Sequence, residues 1–580
     1  MKRIGIFVCH CGTNIAGTID VRRVVEEIEK NPEVVYAADY KYMCSDPGQK
    51  LIRDHIREDE LDAVIVAACS PAMHETTFRI LSESAGINPY QTEIANIREQ
   101  SSWVHEKQRA AATNKAIEII QTIVAKVHYN QSLTPYHLPL VKRGLVIGGG
   151  IAGMQVALDV ANAGYPVVLV ERTDRLGGHM ADLSGLYLNL DAAAEMLQHK
   201  IDAVTTHPNI QVLTNAEVVE VGGYVGNFVV KVAQQVTESP GQSGSEEPVP
   251  YTFDIGALVV ATGYDLYDVK NLGEYGGGRY PDVIDGLQFE EMLRLDGPTG
   301  GQIRRPSDGH VPKEVVWVQC AGSRDPELHM SYCSKVCCMY VAKQSMAFKQ
   351  QVPEGQATVF YIDIRSQGKG YDEFAQRAME EHDVLYVRGK ASKVFQENGR
   401  VTVWGVDTLA GVPIEVEADL VVLATATVPR ADAQQLGQQL RVSTDEHGFF
   451  SEAHPKLRPV ESLTAGIFLA GAAQFPKDIP ETVAQASGAA AKVLSLFSLR
   501  QMVQEPTIAY VDPDVCSGCG LCIPACPYEA RLMHDWQHIA VVNTALCQGC
   551  GACTMVCPNK ACQVRNLTSQ QILSMMEAYL

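Results

Sequence analysis

The stretch Val146-Ile-Gly148-Gly-Gly150-Ile-Ala-Gly153, with Tyr165-Pro-Val-Val-Leu-Val-Glu171 after it, decides how the chain is read. An apolar run enters a glycine turn, a helical segment (Met154-Gln-Val-Ala-Leu-Asp-Val-Ala-Asn-Ala) follows, and a second apolar run ends in an acid. Glycines at this spacing permit a tight turn and let backbone N–H groups approach a pyrophosphate at the helix N-terminus. An acid roughly 20 residues on reaches a ribose hydroxyl. A glycine turn alone is weak evidence, but the strand–turn–helix–strand–acid frame predicts a dinucleotide site. Its residues are Gly148, Gly150, Gly153 and Glu171, with Arg172 beside the acid.

Working outward, Arg175-Leu-Gly177-Gly178-His supplies a second glycine pair after the acid. Ala257-Leu-Val-Val-Ala-Thr262-Gly263 reads as a strand entering a turn. So does Gly466-Ile-Phe-Leu-Ala-Gly471-Ala472, which is followed by Lys477-Asp478 and a small-residue helix from Val483 to Val493. Four such elements in this order resemble the FAD half of thioredoxin-reductase-like flavoproteins. The nicotinamide half of such a protein opens with a second glycine fingerprint. Here the strand Val315-Val-Trp-Val-Gln runs instead into Cys320-Ala-Gly-Ser-Arg, so a nicotinamide pyrophosphate loses its cradle.

Seventeen cysteines fall into three groups: four before residue 70, four between 320 and 338, and nine after 515. In a reducing compartment such cysteines are metal ligands or redox centres more often than disulfides. Residues 1–138 alternate strand and helix, as in a small parallel α/β domain. Strands are expected at Ile4–Val8, Val34–Ala38 and Ala63–Ala67, helices at Val21–Lys30, Gln49–Glu58 and Ala110–Lys126, and a linker over Tyr129–Pro139. Cys9, Cys11, Cys44 and Cys69 each follow a strand, so four thiols can converge on one sheet edge and hold an iron–sulfur cluster. The alternative is four small buried side chains filling strand ends.

The middle group, Cys320, Cys333, Cys337 and Cys338, admits structural cysteines, a redox dithiol at a helix N-terminus or a [4Fe–4S] cluster; four in 19 residues of an otherwise cysteine-free body argue against the first. The cluster is the preferred reading, with Cys333 and Cys337 on one helix face if the helix Met339–Lys349 starts early. Residues 237–250 are low in complexity and read as a surface hairpin loop.

The last group carries the most specific signal. Cys516-x-x-Cys519-x-x-Cys522-x-x-x-Cys526-Pro recurs as Cys547-x-x-Cys550-x-x-Cys553-x-x-x-Cys557-Pro. This is the two-cluster ferredoxin pattern, in which the fourth cysteine of each run ligates the other cluster. Cys516, Cys519, Cys522 and Cys557 then hold one cubane, and Cys526, Cys547, Cys550 and Cys553 the other. Cys562 is left over as a buried thiol.

Length and charge set the frame. A chain of 580 residues supports several cores, here 1–138, 139–505 with a degenerate nicotinamide half near 310–430, and 506–580. A net charge of −20 argues against nucleic acid or an anionic membrane as partner. No apolar run reaches about 18 residues, the N-terminus reads as a first strand rather than a signal peptide, and a cytoplasmic location is expected.

Cys9-His-Cys-Gly-Thr-Asn-Ile-Ala-Gly, Tyr40-Lys-Tyr-Met-Cys-Ser-Asp-Pro-Gly-Gln, Ala67-Ala-Cys-Ser-Pro-Ala-Met-His-Glu and Asn96-Ile-Arg-Glu-Gln-Ser-Ser-Trp-Val-His closely resemble the A subunit of heterodisulfide reductase. So do Gly471-Ala-Ala-Gln-Phe-Pro-Lys-Asp-Ile-Pro-Glu-Thr-Val-Ala-Gln-Ala and the Cys320–Cys338 set. The resemblance covers nearly the whole chain. It implies FAD able to split electron pairs, B- and C-like partner subunits, and an electron-input module of the hydrogenase or formate dehydrogenase kind. Ferredoxin as a further partner and a homodimer within a larger complex are also implied. The chain departs from the family in lacking an inserted ferredoxin domain near residues 237–250, in Ala192-Ala-Ala after Leu190-Asp191, and in Ser101 where a cysteine is expected. It thus reads as a shortened form, similar to those of bacterial respiratory or fermentative complexes, including subunits associated with aromatic acyl-CoA reduction.

The expectation is therefore a multidomain α/β oxidoreductase subunit with FAD and iron–sulfur clusters. Lys477 is the candidate catalytic cation that stabilises reduced flavin; its alternative role is a surface lysine capping the loop. The competing classes are a stand-alone NAD(P)H-dependent flavoprotein with a ferredoxin tail and a non-catalytic iron–sulfur wiring scaffold.

Overall fold

The computed structural model describes residues 2–235, 249–397 and 399–580. Two compact units emerge: Met1–Leu138 with Gln501–Leu580, and Pro139–Arg500.

In the first unit, strands Val34–Tyr40, Ile4–Cys9, Ala63–Ala68 and Thr92–Asn96 form a parallel sheet in that order. Ile4, Ile6 and Val8 face one way, against helices Val21–Ile28 and Arg109–His128. Phe7 and Val66 face the other, against Asp46–Glu58 and Pro71–Ala85. A strand buried on both faces needs an unbroken apolar run, which is why Ile4-Gly-Ile-Phe-Val and Ala63-Val-Ile-Val-Ala were legible as strands. The helix Pro71–Ala85 and the strand Thr92–Asn96 were not foreseen. The expected linker over Tyr129–Pro139 contains a strand, Tyr136–Leu138, paired antiparallel with Met502–Gln504. A three-residue strand finds its stability in a partner far along the chain, which local pattern does not show.

The rest of this unit carries two short antiparallel pairs, Ala509–Val511 with Cys562–Val564 and Arg531–Met533 with Ala540–Val542. The C-terminal helix Ser569–Tyr579 packs on Arg109–His128. Its Gln571 Nε2 donates to Asn130 Oδ1 at 2.7 Å, and Asn566 accepts the Gln131 N–H at 2.8 Å.

The second unit repeats one plan twice. Strands Ile467–Leu469, Ala257–Val260, Gly144–Ile147, Val167–Val170 and Ile210–Leu213 form a five-stranded parallel sheet. Val146 and Val259 face the helices Ile151–Asn162 and Ile479–Ser498. Leu145 and Leu258 face an antiparallel sheet of Ala216–Tyr224, Asn227–Gln234 and Val249–Ile255. The second copy has Val283–Asp285, Leu420–Thr425, Glu314–Ala321, Gln356–Tyr361 and Leu385–Arg388, covered by the antiparallel Ala391–Glu397, Arg400–Asp407 and Val412–Ala418. Each fully buried aliphatic side chain contributes roughly 1.5–3 kcal/mol, so these two-sided cores dominate the stability of the unit. The loop expected over 237–250 lies almost wholly outside the described residues; the strands on either side of it pair antiparallel.

Candidate functional site

Parallel strands deliver their carboxyl ends to one edge, and the first sheet of the second unit sets three turns there side by side. After Gly144–Ile147, Gly148 has φ +111°, and a Cβ on it would lie 2.3 Å from the Ala261 carbonyl oxygen. A Cβ on Gly153 would lie 1.8 Å from the Gly148 carbonyl oxygen, so the helix starting at Ile151 sits against its own turn. Gly150 and Gly178 have only each other's backbone within 4 Å of that position, and Gly177 N–H donates to Gly149 O at 2.9 Å. These glycines keep side chains out of the space above the helix N-terminus, as a diphosphate requires. Glu171 is buried; its Oε2 accepts the Gly149 N–H at 2.7 Å and its Oε1 the Thr173 N–H at 2.8 Å. The neighbouring Arg172 points to the surface and pairs with Asp432 at 2.9 Å.

On the adjoining strand, Thr262 Oγ1 is buried without a hydrogen-bond partner, and Gly263 follows with φ +74°. On the third, Gly471 N–H donates to Gln485 Oε1 at 2.8 Å, and Ala472 is buried. Asp478 Oδ1 caps the helix Ile479–Ser498 by accepting the Glu481 N–H at 2.8 Å, while Oδ2 accepts from the Tyr371 hydroxyl. Lys477 is half-buried, with Nζ 3.1 Å from Phe475 O; burial, then the nearby Lys335, push it down to about 8. The glycine cradle and the orphaned Thr262 hydroxyl fit a dinucleotide cofactor.

The corresponding turn of the second sheet is built from cysteine. Cys320 stands at the end of Glu314–Ala321 with φ +59°, followed by Gly322 at +78° and Arg324 at +56°. Left-handed backbone at non-glycine residues is costly and collects at functional turns. Cys320, Cys333, Cys337 and Cys338 line one cavity, rimmed by Arg324, Lys335, Asp363 and Arg365. The helix begins at Cys337, so Cys333 is not on it, contrary to the shared face expected. It reaches the cavity from the preceding turn, where Lys335 has φ +66°. Burial raises the Cys320 thiol, raises Cys337 well above its usual value, and pushes Cys338 up to about 11. Arg324 clamps Asp363 through two bonds of 2.7 and 3.0 Å. Four thiols around one cavity with a basic rim fit an anionic iron–sulfur cluster; a reactive dithiol needs its thiolate stabilised instead.

Sequence reasoning missed a buried ion pair on the helix that begins at Cys337. Lys343 and Glu290, 6% and 3% exposed in their side chains, meet at 2.6 Å. Glu290 also accepts from Ser184 Oγ at 2.6 Å and Gln344 Nε2 at 2.9 Å. Burial opposes its ionised form, but Lys343 and these donors outweigh that and hold the carboxyl below its usual value. A lysine inside Met339-Tyr-Val-Ala-Lys-Gln-Ser-Met, a run otherwise fit for a core, was the available signal.

In the first unit, Cys9, Cys11, Cys44 and Cys69 gather in one apolar cluster at the sheet edge. Cys9 Sγ accepts the N–H groups of Cys11 (3.3 Å) and Met43 (3.4 Å), and Arg98 Nη1 lies 3.3 Å from Cys11 Sγ. Burial raises both Cys9 and Cys69. Ser101 is fully buried and donates to Ala112 O at 2.8 Å, a structural bond.

The ferredoxin cysteines build a core of their own. Cys522, Cys547, Cys553 and Cys562 are buried in it, with Cys516, Cys526 and Cys557 packed against them; Cys519 and Cys550 are exposed, each preceding a left-handed glycine. Burial opposes the Cys557 thiolate, yet backbone N–H groups from Cys562, Ala561 and Asn559 prevail and lower it. None of the seventeen cysteines is in a disulfide. Among the described residues no three His, Cys, Asp or Glu side chains stand close enough to hold a single metal ion. The donor sets are thiol-only, the chemistry of clusters.

The doubled dinucleotide fold, its glycine cradle and the thiol core define an iron–sulfur flavoprotein oxidoreductase. Residues 142–294 match the family model for pyridine nucleotide-disulphide oxidoreductases, and residues 515–561 that for the 4Fe-4S dicluster domain. The chain is 41% identical to the second form of the iron–sulfur A subunit of the CoB–CoM heterodisulfide reductase of Methanopyrus kandleri, over 91% of this chain and 90% of that protein. It is 40% identical to the A subunit of the H(2):CoB-CoM heterodisulfide,ferredoxin reductase of Methanothermobacter marburgensis, over 91% and 90%. With the iron–sulfur A subunit of the CoB–CoM heterodisulfide reductase of Methanocaldococcus jannaschii identity is 40%, over 100% and 98%. A thioredoxin reductase structure from T. acidophilum is similar at TM-score 0.40 and 15% identity, over 62% of this chain and 99% of that one. The chain belongs to the family of heterodisulfide reductase A subunits. No helix among the described residues is long and apolar enough to cross a membrane.

Proposed function

We propose that this oxidoreductase subunit is an electron junction: FAD on the Gly148–Glu171 unit, wired to clusters rather than to a nicotinamide. The observation that carries the reading is the gathering of Cys320, Cys333, Cys337 and Cys338 around one cavity, at the turn where a nicotinamide fingerprint belongs. FAD, when bound, supplies exchange between two-electron and one-electron transfer. The chain's residues hold and insulate it: Gly148, Gly150, Gly153, Gly177 and Gly178 clear the diphosphate path. Glu171 offers a carboxylate to the ribose, and Thr262, Gly263, Gly471, Ala472 and Asp478 line the remaining strand ends. Lys477 is proposed as the cation near the flavin; it is half-buried, and burial with the nearby Lys335 lowers it to about 8, which leaves it protonated at neutral pH. Arg172, paired at the surface with Asp432, has the weaker case.

The two ferredoxin cubanes, the Cys320–Cys338 cluster and a cluster on Cys9, Cys11, Cys44 and Cys69 predict about four cubanes per chain, four cysteines each. Anaerobic iron, sulfide and FAD quantitation checks this; iron for two cubanes would refute both irregular sets. Rapid bleaching of the flavin by NADH or NADPH in the isolated protein would overturn the junction in favour of a stand-alone reductase. Iron–sulfur protein purified anaerobically without flavin would favour the wiring scaffold.

The finer reading is bifurcation with B- and C-like subunits and a hydrogenase- or formate-dehydrogenase-linked donor, in the cytoplasm, as a homodimer within a larger complex. Its support is that one relative's name joins a heterodisulfide and a ferredoxin. The alignment with the M. jannaschii protein runs over 646 positions against 580 residues here, so that relative carries segments this chain lacks. Coupled reduction of ferredoxin and a disulfide by the reconstituted complex, absent when either acceptor is withheld, is the expected result.

A further inference from the structure

The strand Arg531–Met533 buries its arginine and exposes its leucine: Arg531 is 2% exposed and Leu532 55%. This inverts the pattern that a half-buried strand obeys. The inversion sits in the thiol core. Arg531 Nη2 donates to Cys553 Sγ at 2.7 Å, and Nη1 is buried without a hydrogen-bond partner. Among the described residues no carboxylate pairs with it; the groups around its charge are the thiols of Cys553, which it bonds, and of Cys562 and Cys522. A guanidinium stays protonated in proteins, and an unpaired buried charge costs several kcal/mol. Neutral thiols cannot offset that. Four cysteinates around iron and sulfide can, because such a centre carries net negative charge.

We infer that Arg531 is the built-in countercharge of the cubane held by Cys526, Cys547, Cys550 and Cys553, and raises its reduction potential above that of the neighbouring Cys516, Cys519, Cys522 and Cys557 cubane. Net charge and hydrogen bonds to ligand sulfur are what set such potentials. Cys522 lies within reach of the same charge without the hydrogen bond, so both centres feel Arg531 and the Cys553 centre feels it more. Within the ferredoxin pair, the Cys553 centre is then the resting place of the electron. Arg531 acts through a ligand sulfur; it is a potential-setting residue, not a catalytic one.

The inference rests on the two-cluster reading of the eight cysteines. The test is an anaerobic redox titration of the full-length protein followed by electron paramagnetic resonance. C553S and C522S identify the two ferredoxin signals by their altered spectra. In the wild type the signal tagged by C553S should be the more easily reduced of the two. R531M should shift that signal's reduction equilibrium at least tenfold, about 59 mV for a one-electron couple, and the other by less. R531K should retain most of the wild-type value. A wild-type order opposite to this, or an R531M protein with full iron and unmoved midpoints, overturns the inference. If R531M fails to load its clusters, the wild-type order and R531K still decide it. Failure of the two-cluster reading itself would appear as iron missing from the wild type, a separate readout.

Discussion

Burial and the Lys335 ammonium push Lys477 down to about 8, so its charge is present at neutral pH and lost as pH rises through that value. If that charge stabilises reduced flavin, K477M should lower the flavin midpoint below pH 8 by roughly a tenfold change in equilibrium, about 30 mV for two electrons. The difference should close above pH 8; a difference independent of pH would assign the effect to packing. The same shift has a stability consequence. An unfolded lysine keeps its proton to its ordinary 10.5, so between about 8 and 10.5 the unfolded state binds more protons and stability rises with pH. K477M should flatten that rise in thermal melts. The lysine was legible in sequence from its place after Gly471-Ala472, but its environment was not: Lys335, its repelling neighbour, lies far along the chain.

At the scale of elements, the helix Ile151–Asn162 is seated so closely that a methyl group at Gly153 would lie 1.8 Å from the Gly148 oxygen. G153A must therefore shift the helix or the turn, and overpacking of this kind costs about 1–3 kcal/mol or more. Loss of FAD on purification, with a lowered melting temperature, is the expected outcome. The helix Cys337–Gln351 depends on a different device. Its Lys343 crosses to Glu290 on Gly286–Leu293, and E290Q would leave a buried ammonium without its counterion. Breaking one partner of such a pair costs about 3–5 kcal/mol, so E290Q should melt markedly earlier than wild type, whereas E274Q, which removes a partly exposed carboxylate beside His329, should lose less. The glycine fingerprint was readable because glycine spacing carries its own geometry. The ion pair was not, because its halves lie on separate helices and only packing joins them.

For the whole molecule, the C-terminal segment is tied to the stretch just after the helix Arg109–His128 through Gln571–Asn130 and Asn566–Gln131. Gln571 and Asn130 are both buried, so the truncation Q571A leaves the Asn130 side-chain amide unsatisfied at about 1–3 kcal/mol. Hydrogen exchange should quicken in Ser569–Tyr579 in this variant, and an unchanged rate would show that the helix is held by its apolar contacts alone.

What the sequence determined by itself is everything whose chemistry is written in local spacing. The strand–glycine–helix–acid unit, the tripled CxxC runs and the cysteines at strand ends were all of this kind. Parallel strands with apolar runs place their carboxyl ends together whatever else the chain does. What only the tertiary structure decided is long-range. Cys333 meets Cys337 from a turn rather than a helix face, Tyr136–Leu138 becomes a strand by finding Met502–Gln504, and Arg531 turns inward to the sulfurs. In each case the free energy comes from a partner distant in sequence, and no local pattern encodes where that partner will be.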